Sequence, residues 1–107
     1  MFLFMNGQTT GRSGVSLAPD ITLNDGSDGL PFSIYECKNY SNVLGVGVYR
    51  EFIGYLIEFD LRPWGRRSKS FISNFPDLSP RIYTSAVTRL DHREICTKYG
   101  FTVIDRL

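Results

Sequence analysis

The sequence predicts one mixed α/β domain, in which an antiparallel hairpin is joined by a right-handed crossover helix to further strands. Three observations predict it. Val15, Leu17, Ile21 and Leu23 alternate with Ser16, Ala18, Asp20 and Thr22, which is the period of a strand. Asn24 to Gly29 (Asn-Asp-Gly-Ser-Asp-Gly) is the strongest turn signal in the chain, and a second β-prone run follows it. From Val46 the apolar spacing changes to three and four residues, that of a helix, before strand character returns at Arg81. A helix joining strands of one sheet implies a right-handed crossover and partly parallel pairing.

Taken in order, residues 1–14 are expected to be a flexible leader and residues 15–107 the ordered domain. Met1 to Met5 is apolar, but Asn6 to Gly14 is polar and rich in glycine. Pro19 inside the first strand suggests a bulge or an edge position. The second strand is expected from about Phe32 to Lys38. Tyr49, Phe52, Ile53, Leu56 and Ile57 form the apolar stripe of a helix running to about Asp60. Gly54 weakens that helix by ~1 kcal/mol relative to Ala and suggests close packing. Pro63, Pro76 and Pro80, with several Ser, make residues 61–80 a long connection, and Arg81 to Val87 reads as a strand. Asp91 and Glu94 have the spacing of a capping box for a short helix ended by Gly100, with a last strand over Phe101 to Ile104.

Composition narrows the class of protein. The 107 residues are 42% hydrophobic and 21% charged, as in an ordinary globular domain. Eight Phe, six Tyr and one Trp supply core volume without disulfides or a structural metal. Twelve basic and eleven acidic residues give a net charge of +1, without the basic excess of a general nucleic-acid binder. Contact with phosphates would therefore depend on local clusters. Cys37 and Cys96 alone suggest neither a disulfide framework nor a four-ligand zinc site. No stretch approaches the ~20 apolar residues of a membrane span, and the apolar start lacks the basic flank and length of a signal peptide. The expectation is a soluble intracellular protein, cytoplasmic or nuclear, with reduced thiols and no membrane contact.

The chemistry-bearing residues gather around the hairpin. Glu36 and Lys38, two apart on a strand, project from one face. A carboxylate and an ammonium at the end of an interior strand are costly to desolvate unless paired or bound. Asp20 lies sixteen positions before Glu36, and a turn at residues 24–29 can bring the two together. Two adjacent carboxylates repel, and a divalent cation relieves that repulsion. The bland alternative for the same pattern is a surface ion pair. Asp25 and Asp28, flanked by glycines, read as turn formers. A nucleophilic pair of Cys37 with the single His92 is the weaker alternative, since His92 sits at an expected helix start. Arg50 and Glu51 open the long helix, either facing the site or solvated. Arg62, Arg66, Arg67 and Lys69 surround Trp64 with no acid from Arg62 to Lys69, a pattern suited to phosphate contact and base stacking or to a solvated loop. Asn39 and Tyr40, just beyond the strand, either touch substrate or close a turn.

Pro19-Asp20 followed by Glu36-Cys37-Lys38 resembles the PD…(D/E)XK signature of the restriction-endonuclease-like nucleases. The flanks, Ile34-Tyr35 before and Asn39-Tyr40-Ser41 after, are similar to that superfamily's hydrophobic strand and polar turn. The resemblance covers residues 15 to 88 and implies a restriction-endonuclease-like αβββαβ core. It further implies that Asp20, Glu36 and the backbone carbonyl of Cys37 hold Mg²⁺, with Mn²⁺ as a substitute, and that Lys38 serves the attacking water. The implied activity is endonucleolytic hydrolysis of DNA, in preference to RNA, with Tyr40, Arg62, Trp64, Arg66, Arg67 and Lys69 as nucleic-acid contacts. One departure stands out: residues 1–14 show neither the helical period nor the acid of the superfamily's opening helix. Three explanations stay open: the chain is a fragment of a larger enzyme, a second copy or another subunit supplies the helix, or the site works without it. Two other classes also stay open, a catalytically silent nucleic-acid-binding or subunit-interaction domain of this fold, and a purely structural domain.

Overall fold

A computed structural model describes residues 2–5, 8–24, 31–39, 43–61 and 74–107. Among the described residues, five strands form the main sheet: β1 (Phe2–Met5), β4 (Ile21–Asn24), β5 (Ser33–Lys38), β6 (Arg81–Thr84) and β7 (Thr102–Ile104), in that spatial order. Strands β1, β4 and β5 pair antiparallel, whereas β5, β6 and β7 pair parallel. A separate two-stranded ribbon joins β2 (Thr9–Thr10) to β3 (Ser16–Leu17). Helix α1 (Val46–Glu58) connects β5 to β6, and α2 (Arg93–Tyr99) connects β6 to β7. The mixed sheet with an antiparallel hairpin and crossover helices is thus what the apolar periods predicted.

Strand alternation sorts the core into two clusters. Ile34 and Ile82 pack with Tyr49, Phe52 and Leu56 of α1 and with Cys96 of α2, so both helices cover one face. Each such large apolar side chain contributes about 1.5–3 kcal/mol on full burial. Tyr35 and Leu23 point the other way, into a smaller cluster with Ile21, Phe32, Leu78 and Tyr83. A 3₁₀ turn at Pro76–Leu78 lies over that face, where the Tyr35 hydroxyl donates to the Leu78 carbonyl at 2.8 Å.

Several local expectations are corrected. Part of the expected leader is strand: Phe2–Met5 forms the sheet edge against β4, in a register from Phe2↔Asn24 to Met5↔Ile21. The run from Val15 to Leu23 is not one strand but two, separated at Pro19-Asp20, because proline brings no N–H to a ladder. Ile57, expected within the helical stripe, is 44% exposed, and Phe59 and Leu61 fill the core instead. Gly54 marks no close packing: a Cβ built there meets nothing within 4 Å. The expected capping box does not form. His92 is the N-cap of α2, with no side-chain cap, while the Asp91 carboxylate takes two 3.0 Å bonds from Arg89. Gly100 does end α2, in the left-handed conformation (φ 76°), with the Phe101 N–H returning to the Cys96 carbonyl at 3.0 Å.

Candidate functional site

The site forms where β4 begins and β5 ends. The register Ile21↔Tyr35 brings Asp20 opposite Glu36 one position beyond the ladder. One further step would face Pro19 to Cys37, and Pro19 has no N–H to give, so the regular pairing stops there. The two carboxylates take over. Glu36 Oε1 accepts the Asp20 backbone N–H at 2.8 Å, and Asp20 Oδ2 accepts the Cys37 backbone N–H at 2.8 Å. Each acid is therefore fixed by the backbone of the other's strand, a reciprocal clasp that holds both at one point of the sheet.

Lys38 completes the group from the same face. Its Nζ lies 3.4 Å from Glu36 Oε2 and 3.6 Å from Glu51 Oε1 on α1. One turn along the helix, the Tyr55 hydroxyl donates to the same Glu51 oxygen at 3.4 Å. Glu36 is only 3% exposed. Burial pushes its carboxyl above the ordinary carboxylate range, and the neighbouring Asp20 charge adds to this, while the Asp20 N–H and Lys38 oppose it. Burial and the charges of Glu51 and Glu36 push the Tyr55 phenol up to about 12.

The Asp20–Glu36–Lys38 group expected from the sequence is thus brought together. Glu51, left open between site and solvent, joins it. Its contact with Lys38 depends on how α1 packs across the sheet, which the first-turn position alone does not reveal. Cys37 contributes its backbone. Although the residue is exposed, partial desolvation of the thiol and the Asp20 and Glu36 charges raise its pKa, which disfavours a thiolate nucleophile. His92 lies edge-on to the core residue Tyr49, with ring centroids 5.0 Å apart. Tyr40, Arg62, Trp64, Arg66, Arg67 and Lys69, along with Asp25 and Asp28, lie outside the described residues.

Room for a ligand adjoins the group. An open cavity of about 350 Å³ at the carboxyl ends of β5 and β6 is lined by Cys37, Lys38, Asn39, Tyr83, Thr84 and Ser85, among others. Ser85 donates its hydroxyl to Asn39 Oδ1 at 2.8 Å on its rim. Among the described residues, no set of three or more His, Cys, Asp or Glu side chains gathers as a metal centre. The clasp itself offers two carboxylates and backbone as donors. No helix among the described residues is long and apolar enough to cross a membrane. Comparison of the chain with protein-family models, curated proteins and solved structures found no match.

Proposed function

We propose that the chain is a Mg²⁺-dependent endonuclease of the PD-(D/E)XK type that hydrolyses phosphodiester bonds, in DNA by preference. The observation that carries this is the clasp of Asp20 and Glu36 with Lys38 at 3.4 Å. The sheet order supports it, since three antiparallel strands followed by a helix and a parallel strand match the βββαβ portion of that core.

The donor set fits Mg²⁺. That ion keeps several waters and needs only one or two protein carboxylates, so Asp20 and Glu36 suffice. Glu36, buried beside a second acid, gains most from a cation that makes its ionised form stable. The Cys37 N–H points to Asp20, and an extended residue carries its C=O on the same edge as its N–H. Asp20, Glu36 and that carbonyl would hold the ion. Bound Mg²⁺ supplies Lewis-acid polarisation of the phosphodiester and neutralises charge on it. Lys38, as an ammonium, orients the attacking water, whose proton leaves to solvent, and sets positive charge against the pentavalent phosphate. The clasp keeps both carboxylates in place without further ordering when substrate arrives.

A plasmid-nicking assay tests this. Mg²⁺ or Mn²⁺ is expected to support cleavage, and Ca²⁺ to support binding with little cleavage, because its looser geometry positions the water poorly. Lys38→Ala is expected to cut the rate ~10²-fold or more with metal affinity retained, whereas Asp20→Ala weakens metal binding itself. A wild-type chain that binds metal and DNA yet nicks nothing would establish the silent-domain alternative.

A further inference from the structure

We infer that Glu51 is a positioning residue that receives the Lys38 ammonium when a divalent cation takes its place at Glu36. The inference rests on the proposed cation site and adds the exchange that frees it. Glu36 Oε1 is committed to the Asp20 N–H, and Oε2 faces Lys38 Nζ at 3.4 Å. An incoming cation therefore meets an ammonium already at the carboxylate it needs, and the two positive charges repel.

The geometry supplies an alternative anion. Glu51 Oε1 lies 3.6 Å from the same ammonium but belongs to α1, a separate element from the strands that carry Asp20 and Glu36. The Glu36 side chain is 4% exposed and that of Glu51 52% exposed. Moving the ammonium towards Glu51 takes it towards water, which lowers its desolvation cost and leaves the buried carboxylate to the ion. Glu51 is itself steadied twice. The Tyr55 hydroxyl donates to it at 3.4 Å, and Tyr49, Phe52 and Leu56 anchor the helix in the core. In this arrangement Lys38 keeps an anionic partner at both stages and remains beside the site.

A double-mutant cycle on Mn²⁺ affinity, followed by electron paramagnetic resonance of the free ion, tests the exchange without any cleavage step. Glu51→Gln is expected to weaken Mn²⁺ binding about two- to fivefold, the span of a half-exposed ion pair, and the same change in a Lys38→Met background to leave it within about 1.5-fold. Lys38→Met alone is expected to bind Mn²⁺ at least as tightly as the wild-type chain, because it removes the competing cation. Glu51 is exposed, so Glu51→Gln should melt with the wild-type chain, and the double variant with Lys38→Met. Equal weakening in both backgrounds would make Glu51 a ligand or a bulk charge, and no weakening in either would leave it without a role. Either result overturns the exchange while leaving the cation site intact. A wild-type chain that binds no Mn²⁺ would instead remove the site and the exchange together.

Discussion

Glu36 concentrates the chemistry of the molecule in one side chain, because it is the acid that folding buries and a second acid crowds. Its carboxyl is held above the ordinary value of 4.5, burial being the largest cause. A folded-state value above the unfolded one means that the native protein holds the proton longer than the unfolded chain. The stabilising contribution is therefore complete below the ordinary value and is lost as pH rises through the raised one. Glu58, Asp91 and Asp105 are lowered and act in the opposite sense, so only a difference between variants isolates Glu36. Metal-free Glu36→Gln is expected to have a higher urea midpoint than wild type at pH 7, with the gap narrowing as pH falls towards 4.5. A gap that widens at low pH would show that Lys38 outweighs burial. Residue type and spacing made Asp20, Glu36 and Lys38 legible in the sequence, since antiparallel pairing of β4 with β5 sets the start of one strand beside the end of the other. Glu51 was only half legible: its distance to Lys38 is set by the packing of α1, a contact without a local signature.

At the level of elements, the β2–β3 ribbon shows how a short segment is held by a distant one. Two residue pairs cannot sustain a ribbon alone. The turn between its strands is docked on the end of α1, where Glu58 Oε1 accepts the Ser13 hydroxyl at 2.7 Å and Glu58 Oε2 accepts the Ser13 N–H at 3.0 Å. The Arg12 N–H caps the Glu58 carbonyl at 2.9 Å, and its side chain meets Asp60 at 3.3 Å. Gly11 makes this docking possible, since a Cβ there would lie 2.8 Å from Glu58 Cβ. Gly11→Ala is therefore expected to destabilise by about 1–3 kcal/mol, as overpacking does. Gly54→Ala, inside α1 with open space around it, is expected to stabilise by about 1 kcal/mol. Chemical denaturation of both variants checks the pair, and a neutral Gly11→Ala would mean that the ribbon contributes nothing to the fold. These contacts span more than forty positions, which is why a glycine-rich polar stretch read locally as a leader. Asp91 fails for a local reason instead: Arg89, two residues before it, engages its carboxylate, and α2 starts from His92 with no side-chain cap.

For the whole molecule, the buried acid makes fold stability and cation binding two aspects of one equilibrium. The clasp that gathers Asp20 and Glu36 exists only when β4 and β5 are paired, so an unfolded chain offers an ion no comparable site. A ligand that binds the native state alone stabilises it by RT ln(1 + [L]/Kd), about 2.7 kcal/mol at one hundred times Kd. In a domain of roughly 100 residues each kcal/mol shifts Tm by about 4–8 °C, so saturating Mg²⁺ should raise Tm by roughly 10–20 °C. The shift should grow with the logarithm of concentration once the site is filled, which separates it from the small plateau of general ionic screening. Ca²⁺ should also raise Tm, because occupancy rather than catalysis is being read. Glu36→Gln provides the sharpest comparison. Without metal it should melt above wild type, since the buried carboxylate charge is gone, and with metal it should melt below, since only Asp20 of the two carboxylate ligands remains. Scanning calorimetry of both proteins across Mg²⁺ concentration would show the two curves crossing. Parallel curves, with wild type gaining nothing that Glu36→Gln lacks, would mean that burial of this acid serves the fold alone and that no cation sits at the clasp.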